Sequence, residues 1–141
     1  MAELHWSRKW LINNKRNPDF VFGIEIGDIK NFIKYSKSSP YVVLHELAHG
    51  YHARVLTKEE GNELKKLYKS MMNKKLYDKV LHFNGSMRKA YAAANHYEYF
   101  AESVVAYYGY GRYYPFARPE LKKHDPDMYA FLEKIFKPKM K

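Results

Sequence analysis

His45-Glu46-Leu47-Ala48-His49 carries the strongest chemical signal in the chain. On a helix the two histidines stand one turn apart, about 40° from eclipsed, so both imidazoles project from one face and can share a metal ion. Glu46 lies one position round that face, where it can reach a water held by the ion without binding the ion itself. This is the arrangement that zinc hydrolysis through an H-E-x-x-H motif requires. A shuffled chain of this composition would contain the pattern roughly once in forty trials, so its surroundings must decide between chemistry and coincidence.

Those surroundings predict a helix. Ser39-Pro40 supplies a capping residue followed by proline at the first helical position, and the helix is expected to run from there to about Arg54. Val42, Val43, Leu44, Leu47, Ala48 and Tyr51 make it apolar on most sides, the pattern of a buried central helix. Histidines and a glutamate inside such a helix need partners, which counts against coincidence.

Upstream, 5–14 reads as a short turn or helix capped by Ser7, with Trp6, Trp10 and Leu11 as core anchors, and Asn17-Pro18 breaks it. Phe20, Phe22, Ile24 and Ile26 alternate with Val21, Gly23 and Glu25, predicting a strand over 20–26. Ile29, Phe32 and Ile33 recur at helical spacing, predicting an amphipathic helix over 28–37. Downstream, Thr57 and Glu60 form a capping-box pattern before a helix at 58–72, and 77–83 with Asn84-Gly85 suggests an extended piece and a tight turn carrying His82. Asn95 caps a helix over 96–108 with Phe100, Ala101, Val104, Val105 and Tyr108 inside, closed by Gly109-Tyr110-Gly111. After the aromatic run Tyr113-Tyr114-Pro115-Phe116, Asp125-Pro126 opens a last helix with Met128, Phe131, Leu132 and Phe136 as its apolar stripe. The expectation is a single α+β domain over 1–141, mostly helical with a small N-terminal β element.

Composition narrows the chemistry. The chain of 141 residues, 46% hydrophobic, is long enough for one ordinary core. It contains no Cys, so a metal must be held by His and carboxylate. The first ten residues lack a signal-peptide apolar core and no run reaches the length of a membrane span, which reads as a soluble protein, cytoplasmic ahead of exported. The net charge of +10 comes from 19 Lys against 6 Arg, at Lys65-Lys66, Lys69, Lys74-Lys75, Lys79, Lys122-Lys123 and the tail Lys137-Pro138-Lys139-Met140-Lys141. Nucleic acid or an acidic substrate would suit that balance, but Lys without clustered Arg more simply describes a solvated surface.

Two histidines leave a zinc site one protein ligand short. The metzincin pattern would place glycine at 52 and histidine at 55, where the chain has His52 and Val55, so that class is excluded. Three ligands from one straight helix cannot surround an ion tetrahedrally, which leaves His52 a structural or rim histidine. A glutamate from a second helix remains. Glu98 and Glu102 share a face there, though each alone also reads as a capping-box residue or a solvent-facing charge.

Tyr91, three residues, Asn95, two residues, Glu98, any residue, then Phe100-Ala101-Glu102, following the H-E-x-x-H motif, resembles the catalytic domain of anthrax lethal factor and the small bacterial metallopeptidase-like proteins similar to it. The likeness runs from about Ser7 to the last helix. Ile24-Glu25-Ile26 and 113–121 look like the small relatives, whereas lethal factor itself matches around the two helices. The resemblance implies a zincin-like metallopeptidase domain with one Zn2+ held by His45, His49 and Glu98, and a peptide or protein as substrate. It further implies Glu46 as general base, Tyr91 as a phenol bonding the oxyanion, and Glu102 as a carboxylate steadying a ligand histidine. The strand at 20–26 is expected, by analogy with this class, to pair with an extended substrate. Two alternatives stand beside this reading: a protease acting on DNA-bound proteins, suggested by the charge, and a zinc-holding binding module without activity.

Overall fold

The computed structural model describes residues 2–137, so the lysine tail beyond Lys137 lies outside the described residues. At its centre two helices cross, α3 (Val42–Arg54) and α5 (His96–Tyr108), and no other pair of elements packs as extensively. The Asn95 side chain accepts from the backbone N–H groups of Tyr97 and Glu98, fixing where α5 starts. From there Tyr99, Phe100, Ala101, Ser103, Val104, Val105, Ala106 and Tyr107 are buried, so α5 is the core helix of the molecule. Tyr108, expected inside, is exposed. The helix ends at Gly109, where a Cβ would stand 2.5 Å from the ring of Tyr41, so only glycine lets the end of α5 pass beneath the start of α3.

α3 begins two residues later than Ser39-Pro40 predicts. Val42 N–H donates to the Ser39 carbonyl, closing a backbone turn, and no side chain caps the helix. It is also less buried than its apolar sequence suggests: only Val42 and Ala48 are fully buried, and Leu47 is 55% exposed. α5 covers one face and the strand β1 (Ala2–Leu4) another, which leaves a third face open.

The predicted strand at 20–26 shrinks to β2 (Ile24–Ile26), which pairs antiparallel with β1. Asn17 caps a 3-10 turn at Pro18–Phe20, and Phe22 takes a left-handed φ of 65°, so the alternating run bends out of the sheet before Gly23. β1 has too short and charged a sequence to announce itself. α1 (Arg8–Asn13) is capped by Ser7 as expected and buries Leu11, but Trp6 and Trp10 stay exposed, against Tyr97 and His5 respectively. α2 (Ile29–Ser36), capped by Asp28, forms where predicted, although Ile29 and Ile33 face solvent.

α4 (Lys58–Asn73) carries the complete Thr57/Glu60 capping box, and its lysines at 65, 66 and 69 are exposed. β3 (Val80–Leu81) and β4 (Met87–Arg88) form the hairpin expected at Asn84-Gly85, with Gly85 at a φ of 86°. α6 (Arg118–His124) has no counterpart in the sequence reading. The Glu120 carboxylate accepts from the N–H groups of Phe116 and Ala117, which satisfies the helix start without a Ser, Thr, Asn or Asp cap. The arrangement is an α+β one, mostly helical with small β elements. No helix among the described residues is long and apolar enough to cross a membrane.

α7 (Pro126–Phe136) starts at Asp125, which is 2% exposed. Its carboxylate accepts from the Met128 N–H and from the phenols of Tyr77 and Tyr99, at 3.2, 3.3 and 2.6 Å. Replacing it with Ala removes the cap and leaves two buried phenols unpaired. Asp125→Ala should therefore lower unfolding stability by about 3 kcal/mol, and Asp125→Asn by less, in a denaturant titration.

Candidate metal centre and cleft

The crossing of α3 and α5 places four of the six singled-out side chains in one cluster. His45 and His49 project from adjacent turns of α3, with Nε2 atoms 3.1 Å apart. Glu98 enters from the first turn of α5, its Oε2 at 3.0 Å from His45 Nε2 and 3.4 Å from His49 Nε2. One turn on, Glu102 Oε1 lies 3.0 Å from His45 Nδ1. His45 is thus held between two carboxylates, with Nδ1 turned to Glu102 and Nε2 to the centre of the cluster.

The donor set fits a metal ion. Tetrahedral bonds of 2.0–2.1 Å hold ligand atoms about 3.3 Å apart, and the three separations here are 3.0, 3.1 and 3.4 Å. His45, His49 and Glu98 form a group that could hold such an ion. Glu102 on the far nitrogen of His45 is the kind of partner that orients a ligating imidazole.

Glu46 and Tyr91 stand beside the group. Glu46 Oε2 accepts the Leu4 N–H of β1 at 3.0 Å, which fixes the carboxylate at the edge of the sheet. Tyr91 opens a 3-10 turn, Tyr91–Ala93, with its ring 6.3 Å from that of His45 and nearly parallel to it. Burial and then the Glu98 charge raise its pKa, so the phenol is a protonated donor at neutral pH. All six residues line one cleft of about 620 Å³, bordered also by Ala2 and Glu3 of β1. A smaller hollow of about 210 Å³ continues past Glu46, His49 and Glu98 to Leu4, Trp6 and Tyr97. β2 does not reach the main cleft; the strand beside it is β1, which corrects the expectation that 20–26 borders the site.

His52 lies outside the cluster. Its ring packs against His96, Tyr97 and Phe100, and burial first, then His96, pushes its pKa down to about 4, so it is neutral. His82 is buried in the hairpin with Nδ1 2.8 Å from Asn84. The other cleft walls, Tyr35, Tyr41, Tyr110, Arg112 and Tyr113, carry no signal in the sequence. They come from three separate loops or helix ends and share no spacing that could have revealed them.

The chain matches the family model described as anthrax toxin lethal factor, N- and C-terminal domain, over residues 13–135. It belongs to this family. The matched span includes both the H-E-x-x-H helix and the helix bearing Glu98 and Glu102. No curated protein matches the chain, and no solved structure does.

Without metal, the cluster is an ion pair. Burial lowers the pKa of His45, but its bonds to Glu102 and Glu98 outweigh this and raise it to about 9. Burial raises Glu98, and its bonds to His45 and His49 outweigh that and lower it to about 2. His45 therefore contributes stability fully below pH 6.5 and loses it as pH rises through about 9. Glu98 contributes above pH 4.5 and loses its contribution as pH falls through about 2. Considering these two groups alone, the melting temperature of the chain in chelator should be highest between pH 4.5 and 6.5 and fall on going to pH 10. In a His45→Gln variant the alkaline part of that fall should shrink.

Proposed function

We propose that this chain is a zinc-dependent endopeptidase of the gluzincin type, with His45, His49 and Glu98 as the metal ligands. One observation carries the reading: the Glu46 carboxylate, pinned by the Leu4 N–H, and the Tyr91 phenol face the same cleft as the three donors. A zinc ion there would supply Lewis acidity for water and for the scissile carbonyl. Glu46 takes the proton of the attacking water and hands it to the leaving amine, which turns a poor leaving group into a neutral one. Tyr91 donates its phenolic hydrogen to the oxygen that becomes negative as the carbonyl carbon turns tetrahedral. Glu102, through Nδ1 of His45, holds that ring so that Nε2 faces inward. An extended peptide lies along the β1 edge, where Ala2 and Glu3 border the cleft.

A protein that held zinc without hydrolysis would have no use for a base and a phenol aimed into one cleft. The reading as a protease of DNA-bound proteins rests on the +10 charge alone, and the lysines of α4 are dispersed along an exposed face.

Glu46→Gln should fold and bind zinc as the parent does while peptide cleavage falls by about 10²- to 10⁴-fold. Normal turnover in that variant, checked by metal analysis and a peptide-library digest, would end the mechanism. Tyr91→Phe should lower kcat by about 10²-fold with KM little changed, because its bond strengthens only as the oxyanion forms. A change confined to KM would assign the ring to packing.

A further inference from the structure

We propose that Arg112 forms a subsite for a carboxylate of the substrate, an inference that rests on the peptidase reading above. Arg112 lines the same cleft as His45, Glu46 and Tyr91. Its guanidinium lies over two aromatic rings, 5.4 Å from the centre of Tyr35 and 5.2 Å from that of Phe83. Nη1 donates to the Tyr35 hydroxyl at 2.9 Å, whereas Nε is buried and has no hydrogen-bond partner. Among the described residues no carboxylate comes within 4.0 Å of it; Arg8, Arg16 and Arg118 each pair with one, and Arg54 and Arg88, which also lack one, do not line the cleft.

The position is built. The Arg112 carbonyl accepts from the Phe83 N–H at 2.8 Å, Tyr113 bridges to His82, and the Tyr114 N–H donates to the Leu81 carbonyl at 2.7 Å. The hairpin of β3 and β4 thus fixes the backbone, and the two rings fix the planar head. A guanidinium so held has lost its freedom before any ligand arrives, and although the buried Nε is out of a ligand's reach, Nη2 and the second hydrogen of Nη1 can meet the paired oxygens of a carboxylate end-on. A partly desolvated cation without an anion is unfavourable, and a substrate carboxylate would relieve that.

Charge sets the direction. Glu3, Glu46, Glu98 and Glu102 border the same cleft, so a negative group on a substrate finds its cationic partner at Arg112. The carboxylate has two sources with one chemistry, an Asp or Glu side chain within the peptide or the peptide's own C-terminus.

The test uses randomised peptide libraries, four for each position scanned, with Glu or Gln fixed there and with a free or amidated C-terminus. Zinc-loaded protein should cleave Glu peptides about ten- to hundredfold faster than Gln peptides at one position, or free-acid peptides faster than amides if the C-terminus is the source. In Arg112→Gln, shown by its melting curve to be folded, that ratio should collapse towards one, with Arg112→Lys intermediate. A ratio near one in the parent, or one unchanged in Arg112→Gln, overturns the subsite. Binding of the same libraries to zinc-loaded Glu46→Gln protein separates the two claims. Arg112-dependent preference for the acid without cleavage by the parent would remove the peptidase reading and keep the subsite. Binding that is absent or indifferent to the acid would remove the subsite whatever the cleavage result.

Discussion

The imidazole of His45 sits between the two carboxylates of α5, and the rest of the structure depends on that bridge between two helices. Glu98 and Glu102 are one turn apart, as are His45 and His49, so the contact forms only when both helices have one rotation and one register. Asn95 sets the register of α5 through two backbone bonds. Gly109 sets the approach of the helix ends, because any side chain there would meet the ring of Tyr41. At the opposite flank Tyr68 donates to the carbonyl of Ala93, which ties the 3-10 turn carrying Tyr91 to α4.

Electrostatics explain why such a bridge is tolerated in a partly buried place. Two carboxylates on either side of the His45 imidazole favour a positive charge there, and in the metal-free chain the proton on His45 supplies it. A divalent cation held by the same three atoms would take the place of that proton, which links metal affinity to pH. The helix ends support the same logic: Glu98 lies in the first turn of α5, where the helix dipole favours an anion.

The charge of the molecule is divided by location. Lysines point outward from α4, α6, α7 and the segment before β3, and the ion pairs of Lys74 with Asp127 and of Lys134 with Glu63 are at the rim, where such pairs contribute little. The cleft is lined by four glutamates and one arginine. Net charge therefore describes the solvated exterior, and the chemistry of the cleft has to be read from side chains that converge there.

Local signals were legible where the physics is local. Capping residues announced α1, α4, α5 and α7, the helical spacing of Ile29, Phe32 and Ile33 announced α2, and the Asn84-Gly85 turn announced its hairpin, because each signal is local in the chain. The alternation at 20–26 misled because Pro18 and the left-handed Phe22 bend a chain whose side chains still alternate. The apolar wrap of α3 overstated its burial, since Leu47 lies on a face that stays open to solvent, away from the cleft-lining side of the helix. By itself the sequence determined two helical motifs of matched spacing and the residue types able to hold a metal. Only the tertiary structure decided that His45, His49 and Glu98 meet within 3.4 Å, that β1 and not β2 borders the cleft, and that Arg112 faces into it. Those are placements of segments as far apart in the chain as Ala2 and Tyr113, and no local bond or periodicity encodes them.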